Sequence, residues 1–403
     1  MLRPTLVSAL SSPGFRAYFF AAIPQTQALW AQRVTVGWLA WDVSGSAAFV
    51  GLVAALGLLP IVFAGPIFGV LVDRADIRRA LRRATGCMAV LLSLGAILVG
   101  GPGLDRVGLA IFAVGVGFID AAYHPVRLSI APRLVPQADV PNVVALSALN
   151  VNLARMIAPV LAGLTLASVG ATATLWLSAT LYLPMLWAIR FMDPRPLPAG
   201  GGTGSIRAGI AQAARYVAVT PVARQALILT SVMAVLVRGY LELLPVMAEG
   251  VHSRGAEGLG YLTAAAGGGA LLAALAKAAG VGQEGIHLVT RSILVAGMLA
   301  LLGLGLSEGW PMALGWTGVL GFVSTFVGVG LQAAVQEALP DDLRGRVMSL
   351  WVVVAIGAVA VGSGAMGLAA GSFGLPAILA VSGAVGALAA TLLILPERFR
   401  GAT

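Results

Sequence analysis

Five ionisable side chains lie inside long apolar stretches of this 403-residue chain: Arg33, Asp120, Arg155, Arg238 and Glu242. A charge at membrane depth costs roughly 2.5–3.5 kcal/mol on insertion scales, so such residues commonly contact a substrate or carry an ion or a proton. Guanidinium groups bind carboxylates and phosphates through paired, charge-assisted hydrogen bonds, and a carboxyl group can accept and release a proton. These five residues are therefore the first candidates for chemistry.

Arg33 and Arg238 are 205 residues apart, about half the chain. If the chain contains a duplicated half, the two arginines occupy equivalent positions and can together hold one anionic substrate. Gln25 and Gln32 are seven residues apart on one helix face, beside Arg33, so we expect them to contact the same substrate. The alternative is that Arg33 is structural and caps carbonyl groups or reaches the membrane surface.

Glu242 follows Arg238 by four residues, which places both side chains on one face of an α-helix. The two residues are then either a fixed ion pair or a site at which Glu242 binds substrate or a proton. Asp120 and His124 have the same spacing in an earlier segment, and both are candidates for proton coupling because histidine titrates near neutral pH. Arg155 either contacts the substrate or pairs with Asp120.

Two other patterns in the apolar segments have an ordinary structural explanation. The small-residue run Gly267–Ala274 allows another helix to approach closely. Trp30, Trp38 and Trp41 can stack on an aromatic substrate, but tryptophan is also the usual anchor at a membrane interface, which is the interpretation we favour.

The composition is that of a membrane protein. The chain is 59% apolar and only 10% charged, with a mean hydropathy of +0.95, whereas soluble domains are about 25% charged. Runs of roughly 20 apolar residues recur, each long enough to cross a hydrocarbon core of about 30 Å. We predict an all-α polytopic protein with twelve spans, near 17–40, 48–72, 80–101, 107–128, 143–168, 171–190, 224–247, 257–279, 287–306, 311–335, 345–369 and 373–395.

The net charge of +9 reflects topology rather than nucleic-acid binding. Twenty of the 25 Lys and Arg residues fall in alternate loops, at helix ends or at the termini. Such an alternation is the positive-inside pattern, which predicts a multi-pass protein of the cytoplasmic (inner) membrane with both termini in the cytoplasm. We expect no nucleic-acid partner.

Enzyme chemistry has no support in the sequence. Cys87 is the single cysteine and the three histidines are scattered, so neither an internal disulfide nor a metal site is expected. The sequence contains neither a nucleophile elbow nor a phosphate loop. We predict a protein that is not an enzyme and that has no cofactor.

The chain divides into two halves around one polar stretch. The proline-containing loop segments that begin near Pro136 and Pro340 are 204 residues apart, which indicates a duplication. We place an N-terminal six-helix bundle at 1–192, a cytoplasmic linker at 193–223 and a C-terminal six-helix bundle at 224–403. Within the linker, Ile206, Ile210, Ala213 and Val217 recur at helical spacing and predict a short helix on the inner membrane face.

The loop after the second span contains a specific motif. It resembles the loop between helices 2 and 3 of the major facilitator superfamily, with Asp76 where glycine is usual and Ile77 where the first arginine is usual. The matching residues are Gly69, Leu71, Asp73, Arg74, Arg78 and Leu81. In such a loop a glycine allows a close helix approach, and the charged residues can bind helix ends and break apart again, so we assign gating to Gly69, Asp73, Arg74, Arg78 and, in the second half, to Arg344 and Arg346.

Three further segments narrow the resemblance to the enterobactin-exporter-like branch of that superfamily. They are Gln32–Val34 with Gly37–Leu39, Tyr123–Arg127, and Arg344–Ser349. The resemblance extends over about 15–395. It implies the two-bundle fold and a secondary active exporter that works by alternating access and proton antiport.

The excess of buried arginines over buried acids favours a small amphipathic anion as substrate. Our first hypothesis is a siderophore-like chelator or a drug, and the expected partners are this molecule, protons and membrane lipids, with the chain acting as a monomer. Two alternatives stay open: a flippase for lysophospholipids or other lipids, and a receptor or scaffold that keeps the fold but does not transport.

Overall fold

The computed structural model describes residues 8–196, 206–281, 288–339 and 341–394, and within these ranges the chain is helical without β-strands. The α-helices are α1 (Pro13–Ser44), α2 (Ala47–Arg74), α3 (Ile77–Gly100), α4 (Arg106–Ile130), α5 (Val140–Thr180), α6 (Leu183–Ala188), α7 (Ile206–Val219), α8 (Pro221–Met233), α9 (Gly239–Leu241), α10 (Gly255–Ala278), α11 (Leu288–Gly305), α12 (Trp310–Ala338), α13 (Asp341–Phe373) and α14 (Leu375–Ile394). Two π-helical segments, Ala234–Arg238 and Val246–Val251, flank α9.

Ten of the twelve predicted spans each coincide with one helix or with part of one, whereas the sixth and the seventh each cover several shorter helical segments. Within the described ranges, 8 helices are long and apolar enough to cross a membrane, and shorter apolar helices cover Val289–Gly305 and Leu375–Thr391. Helix α5 contains the fifth span and the first part of the sixth, and it is interrupted at Gly170, whose φ of 78° breaks the helix where the sequence predicts a break. The all-α polytopic class is thus confirmed.

Close backbone contacts divide the described residues into two compact units. The first unit comprises Met1–Leu39 and Leu59–Thr203, and the second comprises Ala40–Leu58 and Gly204–Thr403. The end of α1 and the first half of α2 therefore group with the second unit. The boundaries predicted from the sequence, at 192 and 224, place these residues in the N-terminal bundle instead. The local cause is Gly51: a Cβ atom there would collide with the carbonyl oxygen of Ser363 on α13, so only glycine permits this helix crossing.

The first unit is organised around α3, which packs against α4 and α5. Its core contains large side chains that are almost fully buried, among them Phe15, Leu81, Ile130 and Met185. Acidic residues begin the two central helices: Asp76 caps α3, and the Asp105 carboxylate accepts a hydrogen bond from the Gly108 N–H of α4 at 2.7 Å.

The linker helix predicted from the sequence is present as α7. Ala213 and Val217 are buried, and the Tyr216 hydroxyl donates to the carbonyl oxygen of Ala338 at 2.6 Å. Helix α7 packs against α8 and α13, so these side chains are buried within the second unit. The position of this helix on the inner membrane face stays a prediction.

Helices α10 and α12 meet along a line of small residues in the second unit. A Cβ atom on Gly269 would collide with the carbonyl oxygen of Gly318, and one on Gly321 would collide with that of Ala266. A Cβ atom on the adjacent Gly268 would meet no described atom within 4 Å. The predicted packing role of the small-residue run is confirmed at Gly269.

This contrast provides a matched pair of variants. Gly269→Ala should lower the stability of the protein by about 1–3 kcal/mol, because the added methyl group has no space between the helices. Gly268→Ala should be neutral or slightly stabilising, because alanine is the better helix former by about 1 kcal/mol. The stability of both variants is measured by heating the protein in detergent and recording, by gel filtration, the fraction that remains monodisperse at each temperature. Equal melting temperatures for the two variants would contradict the packing argument.

Candidate functional site

The two glutamines of α1 lie inside the first unit and connect helices. Both are fully buried. Gln25 Nε2 donates to Thr85 Oγ1 on α3 at 3.3 Å, and Gln32 Oε1 accepts a hydrogen bond from the Tyr182 hydroxyl, between α5 and α6, at 3.0 Å. Each glutamine thus links α1 to another helix through one amide atom, while Gln25 Oε1 and Gln32 Nε2 are buried without a hydrogen-bond partner among the described residues. Contact of these glutamines with substrate stays a prediction.

Arg33 and Arg155 converge on one aromatic ring. The guanidinium carbon of Arg33 lies 5.3 Å from the centre of the Trp30 ring, and that of Arg155 lies 5.9 Å from the same ring. Both side chains are half-buried, and the two like charges act on each other. Within the described ranges Arg155 has no ion pair, so the alternative in which it pairs with Asp120 is not found. An indole flanked by two cations is suited to a ligand that is both aromatic or apolar and anionic.

Asp120 on α4 belongs to the same unit. Its Oδ1 atom is buried and has no hydrogen-bond partner among the described residues. Arg33 and Arg127 are the cations that act on its charge, and Arg127 also acts on His124 one turn later. The Tyr123 hydroxyl beside Asp120 is likewise buried without a partner. The structure thus brings Asp120 into the electrostatic range of Arg33, which sequence spacing does not predict.

In the second unit, Arg238 reaches across to α12. Its Nε donates to Ser324 Oγ at 3.2 Å, and one of its terminal nitrogens lies 2.9 Å from where a Cβ atom on Gly328 would be. Arg238 ends a π-helical turn, and Gly239–Leu241 after it are α-helical. The pair with the half-buried Glu242 stays a prediction.

The motif loop shows an unexpected use of Asp76. Its carboxylate caps α3 by accepting hydrogen bonds from the N–H groups of Arg78 at 2.9 Å and Arg79 at 3.2 Å, and it pairs with the Arg79 side chain at 3.2 Å. Arg78 donates to the carbonyl oxygen of Ile189 at 3.2 Å, the carbonyl-capping role expected of these arginines. An aspartate in place of the usual glycine thus supplies a helix cap.

The other predicted gating residues have different outcomes. A Cβ atom on Gly69 would meet no described atom within 4 Å, so the close helix approach expected at this glycine is not found among the described residues. The side chains of Asp73, Arg74, Arg344 and Arg346 lie outside the described part of the structure. Their gating roles stay predictions.

The sequence does not indicate a role for Tyr182, and its pattern favours a membrane anchor at Trp30. The hydrogen bond between Tyr182 and Gln32 joins positions 150 residues apart, and no local pattern indicates it. For Trp30 a signal was available, because Arg33 follows it by three residues and the two side chains share a helix face. The contact of Arg155 with the same ring is visible only in the tertiary structure.

The apolar helices, with cations and one acid buried among them, define a multi-pass membrane protein of the transporter class. The model of the transmembrane secretion effector family matches residues 5–401. The chain therefore belongs to this family of the major facilitator superfamily, as its motifs indicate. Its family and relatives are transporters, not enzymes.

Several proteins of known name are similar to this chain. It is 28% identical over 381 residues to the enterobactin exporter EntS of Shigella boydii, covering 87% of this chain and 84% of that protein. It is 26% identical over 333 residues to the multidrug efflux pump Tap of Mycolicibacterium fortuitum, with 79% of each chain covered. The match to Tap of Mycobacterium tuberculosis, 28% identical over 155 residues, spans only 37% of either chain.

Solved structures support the fold. A bacterial homologue of the human lysosomal transporter Spinster aligns with a TM-score of 0.76 at 16% identity, over 96% of this chain and 97% of that one. The nucleoside transporter NupG aligns with a TM-score of 0.74 at 12% identity, over 95% and 99%. The predicted major facilitator fold is confirmed.

The cap on α3 can be tested through the pKa of Asp76. The Arg79 N–H, and to a smaller extent that of Arg78, lowers the pKa of this carboxyl below its ordinary 3.8. A lowered folded-state pKa means that the charge stabilises the protein above the ordinary value and that this stabilisation is lost as the pH falls through the folded-state pKa. At pH 7, Asp76→Ala should lower stability by about 1 kcal/mol, and Asp76→Asn should retain most of the cap.

Thermal unfolding of the three proteins at neutral and at acid pH measures this effect. The difference between wild type and Asp76→Asn should shrink in acid, because the wild-type carboxyl is then neutral too. An Asp76→Ala variant as stable as Asp76→Asn at pH 7 would show that the cap contributes nothing.

Proposed function

We propose that this protein is a secondary active exporter of a small amphipathic anion, working by alternating access and proton antiport. It would act as a monomer in the cytoplasmic membrane, with both termini in the cytoplasm. The observation that carries the proposal is the convergence of Arg33 and Arg155 on the Trp30 ring. The relatives named as an enterobactin exporter and a multidrug efflux pump support the direction of transport.

The electrostatics of the first unit favour an anion over a cation. Two guanidiniums that share one indole repel each other, and an anion between them would relieve that repulsion. The indole provides a surface for an aromatic or apolar part of the same ligand. A siderophore-like chelator with catecholate or carboxylate groups combines both features. A cationic drug would have to displace or neutralise both arginines.

Asp120 supplies a means of coupling to protons. As a carboxylate it attracts Arg33 and helps to position the guanidinium over Trp30. Once protonated it no longer attracts Arg33, the two-arginine site loses its geometry, and the substrate is released. Proton and substrate then oppose each other's binding, which is what antiport requires. If Asp120 instead only competes with the substrate for Arg33, protonation would tighten binding and the coupling would be symport.

The substrate site is tested by a ligand panel and matched variants. The panel contains catecholate and carboxylate chelators, lysophospholipids and cationic drugs, and a true ligand raises the melting temperature with its concentration. Arg33→Gln and Arg155→Gln should each weaken the binding of an anionic chelator by roughly tenfold to a hundredfold, because each removes charge-assisted hydrogen bonds. Arg190→Gln is the control, since Arg190 also lies over a tryptophan, Trp187, at 5.3 Å but at an exposed position.

The outcomes separate the alternatives. Stabilisation by cationic drugs alone, equal in all variants, would overturn the anion site and leave a drug exporter. Stabilisation by lysophospholipids alone would indicate a flippase. A chelator that binds but is not moved in proteoliposomes with a proton gradient would indicate a receptor.

Proton coupling is tested with Asp120→Asn, which keeps the size of the side chain but cannot titrate. In wild type, affinity for the stabilising ligand should fall as the pH is lowered, and in Asp120→Asn this pH dependence should disappear along with proton-driven transport. Isothermal titration of detergent-solubilised protein at several pH values measures the affinity. His124→Gln controls for the other titratable group one turn away. Tighter binding at low pH in wild type would contradict antiport.

A further inference from the structure

An apolar groove lies on the outer face of the first unit, between α3 and α4, and part of it also borders α2. It consists of two adjoining hollows of about 550 and 350 Å³, both lined by Arg83, Cys87 and Ile119. Val90 and Leu94 extend the first hollow along α3, and Phe118 on α4 lines the second. These side chains, except Ile119, are exposed in the structure, so in a membrane the groove faces lipid.

Two arginines lie at the polar end of this groove. Arg82 and Arg83 are exposed on the second turn of α3, and both line the first hollow. Neither makes a hydrogen bond or ion pair within the described ranges. The two arginines of the first turn of α3 are engaged, Arg78 with a carbonyl group and Arg79 with Asp76. The groove therefore ends in two positive charges that no described residue neutralises.

We propose that this groove binds one anionic glycerophospholipid, with its phosphate at Arg82 and Arg83 and an acyl chain along α3. The dimensions agree with this ligand. From Arg83 to Leu94 the helix rises about 16 Å, close to the thickness of one leaflet of a ~30 Å hydrocarbon core. A polybasic end attracts anionic headgroups, with a preference over zwitterionic lipids of about fivefold for each arginine. This lipid would be bound on the outside of the unit, apart from the Arg33 site.

The single cysteine provides a direct reporter. Cys87 lies in both hollows and is the only thiol of the chain. An acyl chain in the groove would cover it, so its alkylation by the uncharged reagent N-ethylmaleimide should slow. We would measure this rate for the full-length protein in nanodiscs of phosphatidylcholine alone and in nanodiscs that also contain phosphatidylglycerol. Native mass spectrometry of the same samples counts retained phosphatidylglycerol.

In wild type, phosphatidylglycerol should slow alkylation several-fold, and one molecule of it should be retained. The Arg82→Gln/Arg83→Gln double variant should lose both effects. Arg79→Gln should keep them, because Arg79 is equally exposed on the same helix but pairs with Asp76 and does not line the groove. Inorganic phosphate should not slow the alkylation of Cys87, because a free anion has no acyl chain to cover the thiol. This control distinguishes binding of a whole lipid from binding of a phosphate ion.

Three results would overturn the proposal: equal Cys87 rates in both lipids, slowing that persists in the double variant, or equal loss in Arg79→Gln. The last two would show a general effect of bilayer charge. Arg33→Gln should retain the lipid effect, so failure of the transport proposal and failure of this one give different results. Gel filtration of each variant confirms that it is folded.

Discussion

Polar groups inside a membrane are costly unless they have partners within the protein, and this constraint shapes the first unit. Helix formation satisfies the backbone, but the side chains of α1 need partners of their own. Gln25 finds Thr85 on α3, and Gln32 finds Tyr182 beyond α5. The helix that carries the candidate substrate residues is therefore fixed to its unit by buried hydrogen bonds, which cost much more to break in hydrocarbon than in water. Arg33, the neighbour of Gln32, is held in place by this anchoring.

A second requirement is close packing without a hydrophobic driving force between helices. Glycine meets it at points where carbonyl groups of the next helix come into contact, as at Gly269 with Gly318 and at Gly362 with Val235. The second contact lies at the π-helical turn that ends with Arg238. Where α13 packs closely against this turn, Gly239 also faces the backbone of Gly362. The position of Arg238 against α12 is thus tied to an irregular turn that small residues enclose.

Local patterns predict what depends on local forces. The spans follow from runs of apolar residues, the break in α5 from Gly170, and the linker helix from its spacing, whereas its packing against α13 does not. The cap at Asp76 can be predicted from the sequence, since an aspartate directly before a helical run is a typical helix start. Comparison with the family motif alone marks Asp76 only as a replacement of glycine. Contacts between distant segments were not available. The partner of Gln32, the approach of Arg155 to Trp30 and the grouping of residues 40–58 with the second unit all depend on tertiary packing.

In the proposed mechanism, the arrangement around Arg33 would let a buried acid control substrate binding without contacting the substrate. Arg33 is attracted by Asp120, lies over Trp30 and is repelled by Arg155. These interactions differ in sign and involve one flexible side chain, so a change of one charge shifts the balance among all of them. If Asp120 fixes Arg33 in its place, a proton dismantles the anion site, whereas if Asp120 merely occupies Arg33, a proton frees it. The sign of the coupling therefore depends on the geometry of a single arginine, and the opposite roles of exporter and importer are separated by a small rearrangement of the same residues.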